Sequence, residues 1–266
     1  MQNQSVKDAL KLKDRRKREE TKTFLVEGYR ECLRAWESSW KFEKLFFCPS
    51  LFLDVDKTIL VESIKKTGAE LIELAPHVFE KLSYRDRPDG FLGVAIEQKY
   101  SVEDLKKRWS KKEKEPVLLL AEAIEKPGNL GSILRSADAA GVDGIILCDE
   151  RVDVFNPNVV RSSLGTLFST LIVTLSIDAA LDWLKKEKID LVATSPDAKE
   201  LYTATSLNGA IAIAMGSEKL GLSERCLKQA DKTVYIPMLG RADSLNVAAA
   251  ATLMLFEVVR QRGVST

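Results

Sequence analysis

From Pro116 onward the chain alternates short, nearly unbroken apolar runs with helical stretches, and that alternation leaves few folds open. The runs cover residues 117–121, 144–148, 171–175, 191–194, 210–215 and 234–237, and each is too short and too apolar for a surface strand. Between them lie helical segments at residues 130–140, 179–187, 223–230 and 245–262. Strands that are apolar on both faces and separated by helices predict a parallel sheet covered by helices on both sides. In such an α/β sheet, ligands bind at the carboxyl ends of the strands.

At 266 residues the chain is long enough for two cores. Residues 1–98 read as a smaller α/β unit. A polar helix leads into a strand at 23–26, a helix at 29–38 and a strand at 42–48. A helix at 57–67, a strand at 70–74, a short helix and a strand at 90–97 follow. Residues 99–115 are highly charged, lack a period-2 apolar pattern and end at Pro116, which marks a linker. Residues 116–266 then form the parallel domain.

Several function classes drop out on residue counts. The only histidine is His77, beside an expected helix start, so no two-histidine metal site can form. Cys32, Cys48, Cys148 and Cys226 are widely spaced without a C-x-x-C pair, which disfavours zinc or disulfide-exchange chemistry. No two glycines lie two apart and none precedes a lysine, which removes the dinucleotide fingerprint and the Walker A loop. No charge-free apolar run reaches membrane-spanning length, and the first residues lack a signal core, so the chain reads as cytoplasmic. Net charge is +1, but residues 7–22 hold eight Lys/Arg against four acids. In that run Arg15, Arg16 and Arg18 are candidates to face phosphates.

Three strand-end loops have compositions that core packing does not require. In EKPGNLGSILRSADAAG, Pro127 and Gly128 make a turn, Asn129 is placed as the helix N-cap, and Arg135 lies one turn beyond Gly131. An arginine near exposed helix N–H groups suits a phosphate. In AMGSEKLGLSERCL, Gly216 permits close approach to the backbone, and Glu218 is placed to accept from a ligand amine or to pair with Arg135. In IPMLGRADSLNVAAAA, Ser244 serves as N-cap of a long Ala-rich helix. Asn246 would then fall mid-first-turn, where helix propensity does not call for it.

Together these loops resemble the signature motifs of the SpoU, or TrmH-like, branch of the SPOUT RNA methyltransferases: N-x-G-x-x-x-R (Asn129, Gly131, Arg135), G-x-E-x-x-G (Gly216, Glu218, Gly221) and I-P-M followed by S-L-N (Ile236, Pro237, Ser244, Leu245, Asn246). NPNVVRSSLGTLF resembles the family's R-x-S-x-G helix and would put Arg161 near substrate. The first half, through KDRRKREETKTFLVEGYR and DRPDGFLGVA, resembles the family's RNA-binding domain of ribosomal-protein L30e type. The resemblance implies a trefoil knot in the second domain, a homodimer formed through it, and S-adenosylmethionine held on the backbone around Gly216, Ile236 and Leu245, with Thr194 nearby. It further implies methyl transfer to a ribose 2′-oxygen of RNA, most readily 23S ribosomal RNA, with no metal and no membrane partner. Asn129, Arg135, Glu218, Ser244 and Asn246 are the implied catalytic set. The alternatives are a transfer-RNA enzyme, a catalytically silent RNA-binding or ribosome-assembly protein on the same domains, and a glycine-poor classical methyltransferase.

Overall fold

A computed structural model describes residues 4–53, 57–111 and 114–263. The chain forms two compact units: the first comprises residues 1–98 and 153–169, the second residues 99–152 and 170–266.

In the first unit, α1 (Gln4–Lys11) and α2 (Arg15–Thr21) replace the single polar helix expected, because Asp14 interrupts it and caps α2 by accepting from the Arg16 N–H at 2.8 Å. Then follow β1 (Thr23–Glu27), α3 (Tyr29–Glu37), β2 (Phe42–Phe47), α4 (Thr58–Lys65), β3 (Glu70–Glu73), α5 (Pro76–Leu82) and β4 (Phe91–Ile96). The four strands lie in the order β1-β4-β2-β3, with β4 antiparallel to both neighbours and β2 parallel to β3. One face is covered by α1 and α5, whose Val6, Ala9, Phe79 and Leu82, with Leu12 just past α1, pack on Leu25, Phe46, Leu92 and Val94. His77 is exposed in the first turn of α5, at the helix start where it was expected.

The second unit begins at Lys99, the first residue of the stretch read as a linker. Ser101 and Asp104 form a capping box that starts α6 (Val102–Trp109), and Leu105 of this helix is fully buried. The charged composition concealed one turn-spaced apolar stripe, with Val102, Leu105 and Trp109 packed on the second unit's core. The chain continues through β5 (Val117–Glu122), α7 (Pro127–Ala139) and β6 (Gly144–Cys148), leaves for the first unit with α8 (Pro157–Ser162), and returns in β7 (Ile172–Leu175) and α9 (Ile177–Lys186). It ends with β8 (Asp190–Thr194), β9 (Glu200–Leu201), β10 (Ile211–Met215), α10 (Glu224–Gln229), β11 (Lys232–Tyr235) and α11 (Val247–Arg262).

Seven strands lie in the order β7-β6-β5-β10-β8-β11-β9, every neighbouring pair parallel. Helices α6, α9 and α10 cover one face through Leu105, Leu181, Leu184 and Cys226. On the α11 side, α7 and α11 pack on each other and α11 on β10. The parallel α/β reading therefore holds, with strand ends within one or two residues of expectation. β9 is too short to leave an apolar run.

Residues 153–169 are the largest departure from the domain division read in the sequence. Helix α8 packs on β1, the Phe155 ring lies 4.4 Å from that of Phe24, and the Trp40 indole N–H donates to the Phe168 carbonyl at 3.1 Å. Arg18 is the second departure. It is 2% exposed, not solvated. Its guanidinium reaches Asp153 Oδ2 through Nε at 2.8 Å and Nη2 at 2.6 Å, and Nη1 donates to the Leu12 and Lys13 carbonyls. Its role as a phosphate-facing residue is thereby corrected: all its donors point inward. Arg15 and Arg16 do face solvent, beside Glu19 and Glu20.

All four cysteines are buried, free thiols. Burial raises the thiols of Cys32 and Cys148 and pushes Cys226 up to about 12, so these three stay protonated at neutral pH.

Candidate active site

Strands β5, β10, β8 and β11 are consecutive in the parallel sheet, so their carboxyl ends open on one edge. The loops that follow β8, β10 and β11 enclose a cleft of about 420 Å³, lined among others by Thr194, Gly216, Glu218, Ile236, Ser244 and Leu245. Each residue expected on the cofactor side, Thr194, Gly216, Ile236 and Leu245, borders this cleft. Thr194 is anchored there because its Oγ1 donates to the Ala214 carbonyl at 2.9 Å.

The loop after β10 explains both glycines of G-x-E-x-x-G. Gly221 has φ +69°, and Ser217 and Gly221 exchange two backbone hydrogen bonds of 3.0 Å, closing a tight loop. A Cβ on Gly216 would collide with the backbone of Gly221 and Leu222. The close approach that Gly216 permits is therefore with its own loop.

That loop presents Glu218 to the first motif. Glu218 Oε1 accepts from Asn129 Nδ2 at 2.5 Å, and Oε2 accepts from the Glu125 N–H at 3.1 Å. Asn129 Oδ1 in turn accepts from Asn246 Nδ2 at 3.0 Å, and Asn246 Oδ1 accepts from the Ala248 N–H at 3.0 Å. One hydrogen-bonded chain, Glu218 to Asn129 to Asn246 to the amino end of α11, thus joins all three motifs. Since the carboxylate only accepts, it fixes which end of the Asn129 amide faces which neighbour.

Two local assignments are corrected. Asn129 is not the N-cap of α7: the helix starts at Pro127 after Lys126, leaving the Asn129 side chain free for Glu218. Asn246, not Ser244, caps α11. The supposed propensity conflict at Asn246 vanishes, and its amide does two tasks, capping the helix through oxygen and holding Asn129 through nitrogen. Ser244 is exposed on the cleft wall. Nor does Glu218 pair with Arg135, as both its oxygens are occupied by Asn129 and Glu125. Arg135 is exposed on α7 and makes no hydrogen bond or ion pair with the described residues. The sequence reading missed the Glu125 N–H, and it missed the apolar wall of Met215, Leu222, Leu227 and Val247, which composition does not distinguish from ordinary core.

Partial burial draws the Glu218 pKa upward, but the hydrogen bonds from Asn129 and the Glu125 and Lys126 N–H groups prevail and hold it below its ordinary 4.5. The stability this carboxylate contributes is full above that ordinary value and is lost as pH falls through the lowered folded value. Glu218→Gln offers an N–H₂ where one of the two donors expects an acceptor. Its melting temperature is expected to lie below wild type at pH 7, with the difference closing as pH drops below 4.5. A difference that stays constant down to about pH 3 would remove the carboxylate from this role.

Among the described residues there is no group of three or more His, Cys, Asp and Glu able to hold a metal, and no helix long and apolar enough to cross a membrane. The parallel sheet, the strand-end cleft and the linked motifs define an α/β domain with a small-molecule site at its strand ends. Residues 116–256 match the SpoU rRNA methylase family and residues 3–93 the MRM3-like substrate binding domain, so the chain belongs to the SpoU rRNA methylase family. It is 29% identical over 96% of both chains to the 23S rRNA (guanosine(2553)-2'-O)-methyltransferase RlmP of Bacillus subtilis. It is 33% identical to the 23S rRNA (uridine(2479)-2'-O)-methyltransferase of Streptomyces viridochromogenes, over 94% of this chain and 87% of that one. Among solved structures it resembles an RNA 2'-O ribose methyltransferase with TM-score 0.83 and 35% identity, over 98% of this chain and 97% of that chain. It also resembles the SpoU methyltransferase AviRb of S. viridochromogenes in complex with AdoMet, with TM-score 0.87 and 30% identity over 98% of each.

Proposed function

We propose that the protein transfers the methyl group of S-adenosylmethionine to a ribose 2′-oxygen of ribosomal RNA. The observation that carries this reading is the chain from Glu218 through Asn129 to Asn246, which ties three loops together beside a strand-end cleft. The cleft fits the cofactor. Its volume of about 420 Å³ lies in the ordinary range for small-molecule sites, and its walls pair apolar side chains (Met215, Leu222, Ile236) with polar ones (Ser195, Asp197, Asp243). When bound, S-adenosylmethionine supplies an electrophilic methyl group on a sulfonium.

The chain's own residues would position the 2′-hydroxyl and stabilise its oxygen while the proton passes to solvent water as the O–CH₃ bond forms and the sulfonium S–CH₃ bond breaks. Arg135 is the group available for that task, since its side chain makes no hydrogen bond or ion pair with the described residues. It acts as a cation and not as a base, because a guanidinium side chain presents only donors. As a clamp on the hydroxyl and the adjoining phosphate it favours the developing alkoxide. Glu218, Asn129 and Asn246 fix the loop from which α7 starts, and Ser244 on the cleft wall is within the set that orients the hydroxyl. Incubating the purified protein with ribosomal RNA and methyl-tritiated cofactor, then mapping 2′-O-methyl sites, tests the reaction. Cofactor binding without any label in RNA would favour the catalytically silent alternative.

Three further readings accompany this one. The second unit carries a trefoil knot, supported by a strand order in which β10 enters between the earlier β5 and β8, and β11 between β8 and β9. The first unit is an L30e-like RNA-binding domain to which Arg15, Arg16 and Arg161, all exposed, contribute positive charge. A second copy covers α11, because Leu253 (40% exposed) and Phe256 (46% exposed) sit one turn apart on its solvent side. Sedimentation velocity is expected to give twice the chain mass, and a monomer at micromolar concentration would count against this surface.

Gly216→Ala is expected to weaken S-adenosylmethionine binding by at least about tenfold in calorimetry, since the added Cβ must displace the Gly221–Leu222 backbone, which lines the cleft. Unaltered affinity would show that the loop gives way elsewhere.

A further inference from the structure

We infer that Tyr84 in the first unit is a stacking platform for an unpaired nucleotide of the RNA, with Lys13 and Arg161 holding the flanking backbone. This rests on RNA being the substrate. Tyr84 follows α5 in the loop before β4, and its side chain is 44% exposed, although it stands in a loop of otherwise polar residues. The loop is fixed: Glu27, at the end of β1, accepts from the Ser83 hydroxyl, from the Tyr84 N–H at 2.8 Å and from the Arg85 N–H at 3.2 Å. Arg85 adds a hydrogen bond to the Glu27 carbonyl and an ion pair with the buried Glu31 at 2.7 Å. An exposed aromatic ring on a backbone pinned at three consecutive residues is already ordered, so stacking on it loses little conformational entropy.

The charges around the ring point to nucleic acid. The Lys13 ammonium sits over one face of the Tyr84 ring, 5.1 Å from its centre, and donates to the Ser83 carbonyl, so a base would stack on the opposite face; exposed Arg161 borders the same shallow hollow as Tyr84. The one carboxylate lining that hollow, Glu27, has its oxygens taken up by the loop. The hollow itself measures about 10 Å³, room for no more than a water, so a base must lie on the ring and not in a pocket. Ring stacking flanked by cations is how single-stranded RNA is held without reading a base pair. It also gives the unit a preference for loops over duplexes, which phosphate contacts alone cannot supply.

The test uses the full chain and two labelled RNAs, a hairpin with an unpaired seven-nucleotide loop and a blunt duplex of equal length. Tyr84→Ala is expected to weaken hairpin binding by about tenfold, on the scale of one base stacked on an aromatic ring, and to leave duplex binding within about twofold. Tyr84→Phe, which keeps the ring, is expected to restore hairpin binding. Ultraviolet crosslinking of the wild-type protein to the hairpin should yield a nucleotide adduct on Tyr84, which decides the matter even if the alanine variant folds poorly. Equal loss on both RNAs, or an alanine variant that binds the hairpin normally, overturns the platform and leaves the ring to a protein partner. A wild-type chain that binds neither RNA would instead overturn the proposed function.

Discussion

Arg135→Ala is expected to lower methyl transfer by at least about 100-fold while S-adenosylmethionine affinity stays within a few-fold, the scale of one lost donor to a developing oxyanion. The separation follows from position: Arg135 stands on α7, whereas the cleft is bordered by residues from the loops after β8, β10 and β11. Because Arg135 makes no hydrogen bond or ion pair with the described residues, its removal leaves no buried partner unpaired and should barely change the melting temperature. Arg135→Lys should be nearly as defective, since a point charge cannot reproduce a planar fork spanning hydroxyl and phosphate. Single-turnover methyl transfer alongside cofactor titration distinguishes the outcomes. Near-normal turnover in either variant would eliminate the clamp.

The largest effect on stability is expected at Arg18. Its charge is buried against Asp153, itself only 14% exposed, and its remaining donors satisfy the Leu12 and Lys13 carbonyls. Arg18→Ala leaves the partly buried Asp153 carboxylate without its cation, with only the Phe155 N–H still donating to Oδ1, and takes the guanidinium donor from two carbonyls. The expected loss is about 3–5 kcal/mol, or a fall in melting temperature on the order of 10 °C. Arg16→Ala, which removes only an exposed pair with Glu20, should change stability by less than about 0.5 kcal/mol. Urea unfolding of the two variants side by side provides the comparison. Equal, small effects would mean that Arg18 is solvated after all.

Arg18 also shows where sequence pattern stops. In KDRRKREE five basic residues carry the same charge, and nothing local separates the one that turns inward. Its partner lies 135 residues away, at a separation no periodicity reports. The same limit hid the allegiance of residues 153–169, because Phe155, Val159 and Phe168 look like core of whichever unit surrounds them in the chain. The parallel strands were legible because burial on both faces forces apolar runs, as in 144–148. At the site, residue types were legible and partners were not. Asn129, Glu218 and Asn246 stand out against packing needs, yet the order in which they bond depends on where α7 and α11 begin. Those starts, at Pro127 and Val247, fell three residues earlier and two later than the apolar periodicity placed them. A helix start is set by which cap wins, and Ser244 and Asn246 compete on nearly equal terms.

The interleaving of the two units has a consequence for the newly made chain. Three connections run between them, after residues 98, 152 and 169, so neither unit is encoded by one uninterrupted segment. On a ribosome adding about 5–20 residues per second, Asp153 is made roughly 7 to 27 seconds after Arg18, the time needed for the 135 residues that separate them. Through that interval α1 to α5 and β1 to β4 can assemble, but the guanidinium lacks its carboxylate, and Phe24 and Trp40 lack Phe155 and Phe168. Strands β5 and β6 of the other sheet are synthesised inside this window. The amino-terminal unit therefore starts first yet closes only after its neighbour has begun, and a nascent chain halted near residue 150 should still expose the aromatic surface that α8 and its flanks later cover.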